Sequence, residues 1–433
     1  MCALLTAPSL FAQGGYSGPA VSSRGMGQAG ARGSEPISIR PYASVNAVAD
    51  SGMLAVITDE KGQPATISTL YGVEANVGVY GSRLWRASRL GVDYQGNYRH
   101  YNSNTFFNGS DHLLQLDFSR QLNRRTGFQL RGAGGTSSRT VGGVFGFQGF
   151  DSSLLGIPVN DVFDNRSYFT DVSGSLNRTI GSRNSVNLGA GAFGVRRQSK
   201  FLVGVNGYRA MGDFSRQLSR RTTIGVGYAY IHVDYPRVFG EADMHSLQGM
   251  FGRQIGRAWN LSVGIGAFRT DMAGTRTVVL DPLIAELLGT NGGREAFNVI
   301  NLSPMLNLGL SWTGRLSSVT VGYMRGASPG NGVLLLNNQE SVFSAYTYTL
   351  SRRASVSGRA GVSRMKGIGA FSGDFRTYNG GAFFSYVLRD GLQFTSGVDF
   401  RKFDSQSSGF NRNGMRAMVG IAYSGGELPI SFH

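Results

Sequence analysis

Residues 213–235 read DFSRQLSRRTTIGVGYAYIHVDY, a tight Arg-rich segment followed by an alternating one. From Thr222 to Tyr235 the residues alternate in character. Ile224, Val226, Tyr228 and Tyr230 share one side; Thr223, Gly225, Gly227 and Ala229 share the other. A helical period would scatter both sets around a cylinder, whereas a period of two gives each set one face of a strand. The run outlasts the usual soluble strand and matches the roughly 9–11 residues with which a tilted strand crosses a bilayer.

The phrase before that strand recurs. DFSRQLNRRT stands at 117–126 and DVSGSLNRTI at 171–180, with weaker echoes at 250–259 (MFGRQIGRAW), 345–354 (AYTYTLSRRA) and 383–392 (FFSYVLRDGL). Each copy joins two alternating segments, so the chain is one hairpin repeated. Trp259, Leu261, Val263 and Ile265 oppose Asn260, Ser262, Gly264 and Gly266; Leu306, Leu308, Leu310 and Trp312 oppose Asn307, Gly309 and Ser311. This pattern predicts strands at 42–53, 68–81, 88–101, 110–121, 126–137, 166–177, 184–196, 205–217 and 222–235. It continues at 243–254, 259–270, 298–313, 317–326, 338–350, 354–364, 377–389, 391–402 and 413–424. Eighteen is an even count, as closed bacterial barrels require; without the first two strands 16 remain. The expected fold is all-β, a closed antiparallel transmembrane β-barrel. Short and long connections alternate; if the chain ends in the periplasm, the tight Arg-rich turns are periplasmic and the loops 138–165 and 271–297 lie outside the cell.

Composition agrees. Gly is 64 of 433 residues, aromatics are 11% and charged residues 16%, against roughly 25% charge in an ordinary soluble protein. Mean hydropathy is −0.12, and no stretch supplies the roughly 20 apolar residues of a spanning helix. The net charge is +16, but 38 of the 42 basic residues are Arg, and many sit in short turns rather than in one patch. That distribution speaks against a nucleic-acid partner. The single cysteine, Cys2, lies in an apolar segment, 1–12, that reads as the remnant of a signal peptide. A mature chain would then carry no disulfide and no thiolate metal site. Residues 13–41 read as a flexible periplasmic lead-in, 42–424 as the barrel and 425–433 as a C-terminal tail.

Over 42–424 the pattern resembles the porin-like outer-membrane β-barrel proteins of Gram-negative bacteria. The resemblance is one of architecture, and the chain departs from it at its end, ELPISFH, where Phe432 is penultimate rather than terminal. It implies a barrel in the cell outer membrane, surrounded by lipid, whose lumen passes small hydrophilic solutes.

Motifs for other chemistry fail on inspection. Gly189-Ala-Gly-Ala-Phe-Gly194 fits GxGxxG, but VRRQSK after it is no helix start, so no dinucleotide cofactor is expected. Gly326-Ala-Ser-Pro-Gly330 fits the GxSxG nucleophile pattern, yet Pro329 lacks the N–H that an oxyanion hole would take from that position. The five histidines show no HExxH spacing, and none of the four lysines follows glycine, which excludes a P-loop. No catalytic residue, metal or cofactor is therefore assigned, and the chain is not read as an enzyme. Asp281–Gly289 reads as a short helix with an Asp cap and Pro at its first turn.

The charges that share parity with the small and polar residues are candidate pore-lining groups. They are Asp93, Asp117, Asp171, Asp213 and Asp399, with Arg99, Arg131, Arg209, Arg359, Arg401 and Arg416. Two readings stand side by side: a lumen carrying a transverse field, or pairwise neutralisation, as in the 117–131 hairpin where Asp117 falls opposite Arg131. Three functions follow from the sequence. The leading one is a passive diffusion channel; the second is a surface-binding or adhesion barrel working through its long loops; the third is a barrel-embedded hydrolase.

Overall fold

The computed structural model describes residues 37–51, 69–102, 108–137, 167–198, 203–236, 240–279, 292–328, 336–368, 373–405, 410–424 and 428–429. Its first strands are β1 (Ile37–Ser51), β2 (Leu70–Leu84), β3 (Ser88–Tyr101), β4 (Gly109–Asn123), β5 (Thr126–Ser137) and β6 (Ser167–Ile180). Next come β7 (Asn184–Arg197), β8 (Val205–Ser219), β9 (Thr222–Tyr235), β10 (Gly240–Ile255), β11 (Trp259–Val279) and β12 (Gly292–Thr313). The last are β13 (Ser317–Ser328), β14 (Asn337–Thr349), β15 (Ala354–Gly367), β16 (Asp374–Arg389), β17 (Leu392–Ser405), β18 (Phe410–Ser424) and the two-residue β19 (Leu428–Pro429). Within β1–β18 each strand pairs antiparallel with its sequence neighbours, β1 pairs with both β2 and β18, and β19 pairs with β1. The sheet therefore has no free edge: eighteen long strands close into a barrel, which is how a sheet satisfies its backbone inside lipid.

Most strand bounds fall within three residues of the sequence expectation, and three regions differ by more. β1 starts at Ile37, inside the expected lead-in, and β19 of the expected tail pairs with its beginning, Ile39 opposite Leu428. β11 and β12 extend each other to Val279 and Gly292, so most of the expected loop 271–297 is hairpin. Alternation reveals a strand only while one face meets lipid. Past Arg269 and Asp271 the outward parity turns polar or small, with Ala273 and Thr275 beside Asn298 and Ala296, and the backbone pairing continues without that signature. The loop 138–165 and the expected helix 281–289 lie outside the described residues.

The two faces separate by contact. Residues two strands apart meet only on a concave wall, because side chains on the convex wall splay. Arg209 on β8 reaches Asp171 on β6, and Asn307 on β12 reaches Gln248 on β10. Their parity is therefore the inner one. The other parity carries exposed Val226, Leu247, Ile265, Leu308 and Val398. An apolar belt of this extent around a closed barrel would aggregate in water and is solvated by lipid chains. All three tryptophans mark its short-turn border, with the Trp259 and Trp312 rings 6.1 Å apart and Trp85 in the β2–β3 turn.

Many inner glycines are explained by register. Gly78 stands opposite Tyr42, Gly72 opposite Tyr101, Gly207 opposite Phe193, Gly322 opposite Phe343 and Gly397 opposite Phe383. In each pair the ring lies over the glycine, so that a Cβ there would collide with it. The ring covers bare backbone and packs flat on the wall. At the end away from the short turns, an apolar row runs around part of the interior, Leu113–Gly135–Phe169–Val195–Val205 across successive strands. Its side chains belong to one buried cluster.

Candidate functional site: the inner wall

Inner residues near the short turns stay partly accessible, as at Thr223, Gly225 and Ala229 on β9, whereas Val233 and Tyr235 at the far end are buried. β14 repeats the gradient, from buried Asn337, Gln339 and Ser341 to exposed Thr347 and Thr349. The wall is thus wet toward the short turns and packed toward the long connections.

All eleven charges singled out from the sequence have the inner parity, and most are paired. Arg99 meets Asp111 at 3.0 Å. Arg131, directly opposite Asp117 as the hairpin register predicts, lies 3.7 Å from it. Arg209 donates from one Nη to both Asp171 oxygens, at 3.0 and 2.7 Å. Arg359 reaches across β16 to Asp399 at 2.5 Å, and Arg416 reaches across β1 to Glu74 at 2.5 Å. Asp213 accepts from Asn187 at 3.0 Å and Asp93 from Gln95 at 3.1 Å. The Arg401 guanidinium lies over the Phe403 ring, 5.4 Å from its centre. Acids and bases thus alternate along one arc rather than facing each other across the lumen, and neutralisation describes the wall better than a transverse field. Burial is the reason. A guanidinium only 2% or 3% exposed, as at Arg99 and Arg416, stays charged and needs a carboxylate at contact distance to offset its lost hydration.

Glu74 and Asp111 complete two of these pairs and were missed from sequence. Parity would have found both, since Glu74 alternates with Asn76 and Gly78, and Asp111 with Gln115 and Asp117. The opposite arc is different. From β9 to β14, at the height of the apolar belt, the described inner residues carry no formal charge. Met250, Met305 and Met324 line it with Gln248, Ser262 and Asn307.

The two nucleotide- and hydrolase-like motifs find no matching context. Residues 189–194 lie wholly within β7, and Gly326 and Ser328 lie in β13 with no helix following among the described residues.

No family model matches the chain, and no curated protein matches its sequence. Solved structures match it in shape. The siderophore receptor PirA of Pseudomonas aeruginosa is 13% identical over 91% of this chain and 81% of its own, with a TM-score of 0.43. The ferric-catecholate import receptor Fiu of E. coli K12 is 8% identical over 90% and 81%, with a TM-score of 0.48. The outer membrane protein OpdK of P. aeruginosa is 10% identical over 89% and 99%, with a TM-score of 0.44.

Proposed function

We propose that this barrel is an outer-membrane channel of porin type, passing small hydrophilic solutes by passive diffusion. One observation carries the reading: the closed eighteen-strand cylinder keeps a polar inner wall that is solvent-accessible toward its short-turn end. Barrels of 16–18 strands are wide enough for an aqueous lumen. In this reading the short turns face the periplasm. The ion pairs of β15–β18 and β1–β8 then stand on one arc of the wall and the uncharged residues of β9–β14 on the other. Paired charges bind and release polar solutes without adding a large net barrier of either sign.

Purified protein in a planar bilayer should give stepwise conductance with the linear, high-current behaviour of a water-filled pore. No conductance above the lipid baseline would sink the channel and leave the surface-binding barrel. Arg131 is the most accessible of the paired inner arginines, so Arg131→Glu should move the reversal potential toward cation preference under a salt gradient. A pore indifferent to that exchange would remove Arg131 from its selective lining.

A further inference from the structure

The eight short connections among β2–β17 hold ten arginines and a single acid, Asp390. All ten arginines are exposed, and none makes an ion pair among the described residues. A second tier lies just above them. Arg83, Arg120, Arg178, Arg216 and Arg253 stand one each on β2, β4, β6, β8 and β10, exposed, and share parity with the lipid-facing residues above them. The repeated phrase SRQL(N/S)RR supplies both tiers, first the outward arginine and then the turn pair. No inner-wall role absorbs it, because these side chains point away from the lumen or lie below it.

We propose that this two-tier collar binds the phosphates of anionic lipid headgroups in the leaflet that meets the short turns. Three observations select lipid over a soluble polyanion. The turn tier extends around most of the circumference and the second tier around about half of it, from β2 to β10, whereas a protein or polymer partner would need one arc. The second tier continues the lipid-facing rows, directly below Phe118, Leu176, Phe214 and Phe251. The level is also that of the tryptophans, residues that mark a membrane interface, and Arg83 stacks on Trp85 at 5.0 Å. The guanidinium's planar fork suits phosphate oxygens two at a time, and its alkyl stem covers apolar surface on the way down. An anionic leaflet attracts such a collar over about one screening length.

The full-length protein can be equilibrated with vesicles of equal phosphatidylglycerol and phosphatidylcholine, re-extracted, and its retained lipid weighed by mass spectrometry. Phosphatidylglycerol should be enriched several-fold over the bulk ratio. Raising ionic strength from about 0.1 M to about 1 M shortens the screening length from roughly 10 to roughly 3 Å and should remove most of that enrichment. A variant with Arg120, Arg124, Arg125, Arg216, Arg220 and Arg221 all changed to Gln should lose at least half of it while conducting like the parent. Retention at the bulk ratio, or enrichment indifferent to both salt and substitution, would overturn the proposal. So would unchanged enrichment combined with a reversal potential that the substitutions shift toward cations, which would assign the collar to solutes. The salt arm decides the matter even where the variant fails to fold.

Discussion

Arg416 and Arg220 carry the same guanidinium under opposite conditions. Arg416 stands on the inner wall toward the packed end, 3% exposed, and meets Glu74 across an intervening strand. Arg220 stands in a short turn, exposed, with no ion pair among the described residues. The inner wall resembles a folded core, in which each charge requires its counter-charge at contact distance. The rim resembles a solvated surface, where cations accumulate because water and lipid phosphates screen them. Nearly equal numbers of acids and bases make the wall roughly neutral, while the rim holds most of the chain's +16. What an arginine does in this barrel is therefore set by its height and its parity rather than by its identity.

Which end of the barrel faces the periplasm has the largest consequence. Cysteine at Arg124 or Arg220 should be inaccessible to a membrane-impermeant maleimide on intact cells, whereas cysteine at the exposed Glu295 should label. The reverse pattern would invert the barrel. Next in size is the cost of orphaning a buried charge. Arg416→Ala leaves the Glu74 carboxylate with one cation fewer in a dry site and should cost about 3–5 kcal/mol, read as a lower urea midpoint for loss of the heat-modifiable gel shift. An unchanged midpoint would mean that the pair is wet.

A smaller effect tests the faces themselves. Arg replacing outward Val226 should cost about 2–4 kcal/mol when it lies near the lipid midplane, and Arg replacing inward Ala229 clearly less. Equal damage would mean the parity is misread. Ala229 is the better inner control than Gly225, because a Cβ on Gly225 would fall 2.8 Å from the Phe214 carbonyl oxygen. The smallest change belongs to the rim: Arg220→Gln with Arg221→Gln should leave the urea midpoint where it is. A clear destabilisation would show that these turn arginines are structural, contrary to their open surroundings.

Strand positions were legible because one face of each strand meets lipid and the other a wet lumen, and a period of two records that contrast directly. In Thr222–Tyr235 the expected bounds and the observed ones coincide. The pattern fades where the contrast fades. Beyond Asp271 the outward parity loses its apolar residues, so the hairpin extension to Val279 reads as loop; at β1, Pro41 interrupts the apolar row that starts at Ile37. Parity likewise gave the inner charges and, where a turn fixed the register, one pair. Asp117 and Arg131 could be matched because only a tight turn separates their strands.

The amino-acid sequence by itself determined the repeated hairpin, the two faces of nearly every strand, the tight arginine turns and the closed barrel that such strands must form in lipid. It could not determine which inner charges touch. Arg209 with Asp171, Arg359 with Asp399, and Arg416 with Glu74 each bridge over a strand, and Arg416 meets Glu74 only because the last strand closes against the first. Those distances depend on the curvature, stagger and closure of the whole cylinder, properties that no local period encodes. The same holds for the rings laid over glycines, whose partners are fixed by register across strands. Sequence sets which way a side chain points; only the closed barrel decides what it finds there.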